Sequence, residues 1–258
     1  MTTRFNDGAA YERMMGAWSR LAGEIFLDWL APEPGWRWID IGCGNGAFTE
    51  LLVDRCAPAE VQAIDPSEPQ LAFARTRPAT RLAHFQLGNA TSLQFADRRF
   101  DAAVMALVIF FVPDPAKGVA EMVRVVRPGG AVASYAWDIF GGGYPLDALQ
   151  AELNAMGVTR PPIPSANASR IEVLEKLWVD HGLTAVETRV IKVQRTFADF
   201  DEFWSISTTG NIKQTLAAMA PADVEELKGR MRVRLAADTG GRITYAAWAN
   251  AIKGRVPG

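Results

Sequence analysis

A carboxylate placed just ahead of a glycine loop constrains this chain more than any other feature: Ile39-Asp40-Ile41-Gly42-Cys43-Gly44-Asn45-Gly46. A glycine loop between a strand and a helix is a nucleotide site of some kind. Gly42-x-Gly44-x-x-Ala47 even satisfies the loose dinucleotide pattern. The acid decides between ligands. A dinucleotide pyrophosphate is anionic and sits on the helix N-terminus. A carboxylate at the same turn would repel it by roughly 1–4 kcal/mol at ~4 Å in watery surroundings. The same carboxylate attracts a cation. S-adenosylmethionine (SAM) carries an ammonium and a sulfonium, and its nucleoside half still needs close backbone approach.

The glycines have separable jobs. Gly42 allows the tight turn, Gly44 lets backbone approach the ligand, and Gly46 lets the helix start close to the strand. Asp65 ends the next strand about 20 residues on, where an acid accepts from ribose hydroxyls. NAD and SAM both have a ribose, so Asp65 supports an adenosine ligand without choosing between them. Asp65 before Pro66 also reads as a plain turn residue.

Around this loop, strand and helix patterns alternate. Apolar spacing predicts a helix over 11–30, stopped by Pro32-Glu33-Pro34-Gly35. Strands are predicted at 36–41, 60–64, 83–87, 100–111 and 131–137, with helices at 47–55, 68–76 and 116–126. The segment 100–111 is long and continuously apolar, which predicts a central strand. Such alternation predicts a doubly wound, mostly parallel sheet, with the loop at the carboxyl end of its first strand. Beyond 140 the pattern is less regular. Helices are predicted at 147–156, 170–181, 200–220 and 223–237, and strands at 185–197 and 242–252. The resulting organisation is an N-terminal helical cover (1–35), a nucleotide-binding core (36–140) and a substrate-side half with the last strands (141–258).

Composition narrows the partners. The 258 residues suit one large α/β domain, and 49% hydrophobic content supplies a sizeable core. A net charge of −2 gives no electrostatic case for nucleic acid or for a membrane surface. No apolar run reaches the ~18 residues of a membrane span. The polar start of the chain lacks a signal core. Only Cys43 and Cys56 are present, and no CxxC pair offers a zinc site. The expected setting is the reducing cytoplasm, without metal.

Four segments, in order, carry a family likeness: Trp38 to Gly46 (Trp-Ile-Asp-Ile-Gly-Cys-Gly-Asn-Gly); Ala63 to Ser67 with Gln70-Leu71; Gly88-Asn89-Ala90 followed by Phe95 to Asp101; and Val123 to Gly130. In these the chain resembles the class I SAM-dependent methyltransferases of the methyltransferase-11, ubiquinone-biosynthesis-like group. The resemblance implies a Rossmann-like seven-stranded sheet ending in a reversed hairpin, which 185–197 and 242–252 would supply. It also implies an N-terminal helical lid and a helical insertion near the C-terminus. It places Asp40, Gly42, Cys43 and Gly44 around the methionyl half of SAM. Asp65 would hold the ribose. Pro66 and Gln70 would pack near the adenine, Asn89 would accept from its amino group, and Ala90 would offer its amide. Ala106 and Leu107 would line the methyl-transfer side. Tyr11, Met14, Met15 and Trp18 would cover the sulfonium; the same residues also read as an amphipathic helix packed on the sheet.

Relatives often carry a histidine shortly after the fourth strand, and Leu107-Val108-Ile109-Phe110-Phe111-Val112 has none. His84 and His181 both read as structural residues, His181 at a helix end where a cation complements the macrodipole. The expected activity is in-line methyl transfer to a small-molecule acceptor, driven by alignment and exclusion of water. Aromatic residues Phe200, Phe203 and Trp204 suit a flat acceptor and suit helix packing equally well. A SAM-binding protein without transfer is the alternative. An NAD-linked oxidoreductase is disfavoured by Asp40.

Overall fold

The computed structural model describes residues 12–159 and 161–258. Tyr11 and Arg160 lie outside them. Seven strands form one sheet: β1 (Arg37–Ile41), β2 (Glu60–Asp65), β3 (Ala83–Leu87), β4 (Phe100–Ala106), β5 (Val126–Trp137), β6 (Thr184–Phe197) and β7 (Ile243–Arg255). Their order is β3-β2-β1-β4-β5-β7-β6. β7 runs antiparallel to both β5 and β6, while the pairings among β1 to β5 are parallel. This is the doubly wound sheet that the strand–helix alternation predicts, with the reversed terminal hairpin that the resemblance implies. The strand order reverses between β1 and β4, which sets the glycine loop at the switch point.

Helices α1 (Ala17–Leu30), α2 (Ala47–Cys56), α3 (Glu68–Ala74), α4 (Pro115–Val125), α5 (Asp147–Ala155) and α6 (Ile171–Asp180) dress the sheet. β5 shows why there are two layers. Tyr135 meets Phe26 of α1 and Phe48 of α2, with ring centroids 4.6 and 5.9 Å away. Three residues earlier the side-chain face is the opposite one: Gly254, the register partner of Val132, would there set a Cβ 2.9 Å from Trp178 Cδ1 of α6, whose Nε1 donates to the Val132 carbonyl at 3.0 Å. Three more helices, α7 (Phe200–Ser207), α8 (Gly210–Ala217) and α9 (Pro221–Arg234), lie between β6 and β7. Among the described residues no helix is long and apolar enough to cross a membrane.

Two predicted elements are corrected. The central strand ends at Ala106 instead of continuing to 111: Leu107 adopts φ +61° and Ile109–Phe111 closes a 3-10 turn. The apolar run still buries Ile109 and Phe110, so burial without alternation concealed the turn. The predicted helix 200–220 is two helices, broken before Gly210 at φ +57°.

Asp101, in the third family-like segment, does structural work. It accepts from the Arg37 amide at 2.7 Å and from Arg127 Nε at 2.6 Å, tying the starts of β1, β4 and β5 together. Burial works against its charge, but the Arg127 and Arg37 hydrogen bonds win and hold its carboxyl down at about 2.

Candidate functional site

The carboxyl ends of β1 and β2 build the site. β1 carries Asp40 into the sheet, paired in register with Ala63 of β2 and Val104 of β4. Its side chain is fully buried. Thr49 Oγ1, from the first turn of α2, donates to Asp40 Oδ2 at 2.7 Å. Asp40 Oδ1 is buried and has no hydrogen-bond partner among the described residues. Burial pushes this carboxyl up to about 7; the Thr49 hydroxyl opposes the rise and the nearby Asp65 charge adds to it.

The loop then turns sharply. The Gly42 and Cys43 amides both donate to the Ile64 carbonyl, at 2.8 and 3.0 Å. Gly42 sits at φ +76°, and a Cβ there would lie 2.4 Å from Val108 Cγ1. Gly44, at φ +53°, has no atom within 4 Å of where a Cβ would stand. One glycine is thus required by the fold and the other faces open space. Asp65 spans the same opening: Oδ2 accepts from the Gly44 amide at 3.0 Å and Oδ1 from the Ser67 amide at 2.8 Å. Burial raises its carboxyl and these two amides oppose the rise. Cys43 is buried with Ala63 and Leu71, and burial pushes its thiol well up, so it packs as an inert apolar group.

The remaining predicted residues fall as follows. Gln70 is buried on α3 and Pro66 is exposed at its approach. Asn89 is exposed beyond β3; its Oδ1 accepts from the amide and hydroxyl of Thr91 at 2.9 and 3.0 Å, which turns the chain at Ala90. Ala106 and Leu107 mark the carboxyl end of β4, where the Leu107 amide donates to Tyr135 at 2.8 Å. Trp18 is buried edge-on to Tyr245 of β7, with centroids 6.2 Å apart. Asp40, the loop glycines and Asp65 therefore converge, and Trp18 is held at the other end of the sheet's carboxyl edge. His84 is exposed on β3, and His181 Nδ1 lies 2.7 Å from the Leu177 carbonyl.

Sequence reading missed a latch. Residues Glu12–Gly16 form a single π turn ahead of α1. Glu12 Oε2 accepts from Asn45 Nδ2 of the glycine loop at 2.8 Å and pairs with Arg77, which also pairs with Glu50 at 2.6 Å. Nothing in the spacing of these four residues advertises their meeting.

The site fits SAM. A buried acid with one oxygen unfilled suits a cation, and the open space over Gly44 leaves room for a ligand to approach the backbone closely. Residues 39–134 match the family model described as methyltransferase domain. This segment is a methyltransferase domain. A demethylmenaquinone methyltransferase from Renibacterium salmoninarum is 36% identical over 126 residues, 48% of this chain and 50% of that protein. The chain thus spans about half the length of the curated relatives it matches. In fold, the methyltransferase domain and its flanking elements superpose on the YcgJ protein of Bacillus subtilis with TM-score 0.61 at 18% identity, covering 92% of this chain and 98% of that one. They also superpose on a phosphoethanolamine N-methyltransferase of Haemonchus contortus solved with SAM (TM-score 0.58, 18% identity, 96% and 56% covered).

Proposed function

We propose that this chain is a SAM-dependent methyltransferase acting on a small-molecule acceptor. The observation that carries the reading is Asp40: a fully buried acid, in the methyltransferase domain, whose Oδ1 faces no partner among the described residues. SAM supplies an electrophilic methyl on a sulfonium. The chain's own residues supply position. Asp40 receives the ammonium of the methionyl half. Asp65 keeps lone pairs beyond those given to Gly44 and Ser67, and these accept from ribose hydroxyls. Gln70 and Pro66, with Asn89 and Ala90, flank the adenine. Ala106 and Leu107, at the end of β4, face the transferring side, and the segment from Glu12 to Trp18 closes the site over the glycine loop.

Residues 36–140 hold the cofactor in this reading, 141–258 shape the acceptor side, and 1–35 form the cover. Alignment near ~3–3.5 Å in a water-poor pocket supplies several kcal/mol without a general base. The relatives' names, which include a demethylmenaquinone methyltransferase, favour a flat organic acceptor. The absence of a histidine in 107–112 supports a second reading, a SAM-binding protein without transfer.

Calorimetric titration with SAM and with its demethylated product tests the proposal, on the wild type and on Asp40→Ala. Micromolar binding that the variant loses is the expected result. No binding of either ligand by the wild type overturns it. Tight binding with no methyl loss across an acceptor screen selects the second reading.

A further inference from the structure

Among the described residues Arg195 is the one part-buried arginine with neither a hydrogen bond nor an ion pair. Arg37, Arg77, Arg99, Arg124, Arg127 and Arg170 each meet a carboxylate. Arg195 Nη1 is buried and has no partner. Its guanidinium lies over the ring of Phe197, with Cζ 4.8 Å from the centroid. A ring face answers the positive charge; it does not fill N–H donors. Burial disfavours the charge and Glu202 favours it, yet Glu202 is committed elsewhere, its Oε2 accepting from the Ala198 amide at 2.5 Å. A guanidinium left this way is a fork waiting for an anion, and a carboxylate matches its geometry.

The fork stands on the acceptor side of the sheet. Arg195 of β6 is paired in register with Tyr245 of β7, and Tyr245 touches both Trp18 of α1 and Phe203 of α7. Helix α7 in turn packs against β6 and against the Glu12–Gly16 turn, which is hydrogen-bonded to the glycine loop through Asn45. One chain of packed contacts therefore runs from the loop to Arg195. Its Trp18 and Phe203 rings are buried, and it ends at part-exposed Tyr245 beside the Arg195 cation.

We propose that Arg195 is the recognition group for an acceptor that carries a carboxylate on a flat, apolar body. This assignment rests on the methyltransferase reading above. The anion fills the in-plane donors of the guanidinium, and the body lies along Tyr245, the part-exposed ring paired with Arg195. Arg195 selects the acceptor and takes no part in the displacement at carbon.

The test uses the full chain saturated with S-adenosylhomocysteine. Benzoate and its neutral isostere benzamide are titrated calorimetrically at fixed ionic strength. The expected result is benzoate binding at least about tenfold tighter than benzamide, the range for a charge-assisted pair. Arg195→Gln is expected to abolish that preference while keeping S-adenosylhomocysteine affinity. Arg195→Lys, which keeps the charge and loses the fork, is expected to retain part of it and serves if the glutamine variant does not fold. Equal binding of the two probes by the wild type, or a preference that survives in Arg195→Gln, overturns the assignment of Arg195 alone. Failure of the wild type to bind S-adenosylhomocysteine overturns the methyltransferase reading itself, so the two failures are told apart.

Discussion

Thr49 gives Asp40 a single hydrogen bond, Oγ1 to Oδ2 at 2.7 Å, and the other carboxylate oxygen is buried without a partner among the described residues. The pH dependence follows from that imbalance. Burial raises the carboxyl from 3.8 to about 7. Between those values the folded protein keeps a proton that the unfolded chain has lost. Stability of the cofactor-free protein therefore falls as pH rises through this window, and this group changes nothing further above it. Asp65, also raised by burial, contributes with the same sign. The diagnostic is thus the difference between the wild type and Asp40→Asn. Thermal melts from pH 4.5 to 8 are expected to show a shallower decline for the variant. SAM is expected to protect the wild type more at pH 8 than at pH 5.5, because its ammonium answers the ionised acid. Parallel slopes in the two proteins would remove Asp40 from the account.

Gly42 and Gly44 are both left-handed, yet they are expected to fail differently. Alanine at 42 meets Val108 Cγ1 at 2.4 Å as well as the strain of φ +76°. We expect a stability loss of about 2–4 kcal/mol in urea melts. Alanine at 44 meets nothing within 4 Å and carries only the strain of φ +53°. That costs about 1 kcal/mol, while the added methyl stands where the ligand approaches, so SAM affinity is expected to drop at least ~tenfold. If Gly44→Ala binds SAM like the wild type, the ligand does not pass over this loop.

The parts of this molecule written in local pattern were legible. The alternation of strand and helix, Asp40 before its glycines, and Asp65 at the end of β2 are all short-range signals. The reversed hairpin came from family likeness instead, because Ala246 to Ala251 carries little strand preference of its own. The turn at Leu107 was hidden by an unbroken apolar run. Trp18 reads in sequence as part of an apolar helical face, but its contact with Tyr245 joins residues more than two hundred positions apart. Arg195 reads in sequence as one more basic residue on a strand. Only the assembled β6–β7 pairing, with Glu202 committed to a helix start, leaves it alone. Pairings set by tertiary packing leave no period for a reader to find.

Arg77 binds the chain's first described turn to its glycine loop. Its Nη1 pairs with Glu50 at 2.6 Å, its Nη2 with Glu12, and its Nε donates to the Asn45 carbonyl at 2.7 Å. The Arg77 side chain is only 11% exposed, whereas Glu12 is 38% exposed. Removing the cation from this cluster strands two carboxylates of which one can still reach water. The expected loss for Arg77→Met is therefore about 1–3 kcal/mol, below the value for a fully buried pair. The larger effect is local. With the Arg77 pair gone, the turn Glu12–Gly16 keeps its apolar contacts through Met14 and Met15 and is tied to the loop by the Asn45–Glu12 hydrogen bond alone. Hydrogen exchange is expected to accelerate over residues 12–16 while β1 and β4 stay protected, and SAM is expected to dissociate faster. Glu12→Gln, which keeps an acceptor for Asn45, is expected to give the same change in weaker form. Unchanged exchange at 12–16 in Arg77→Met would mean that packing alone holds the segment down, and that these ions do not gate the site.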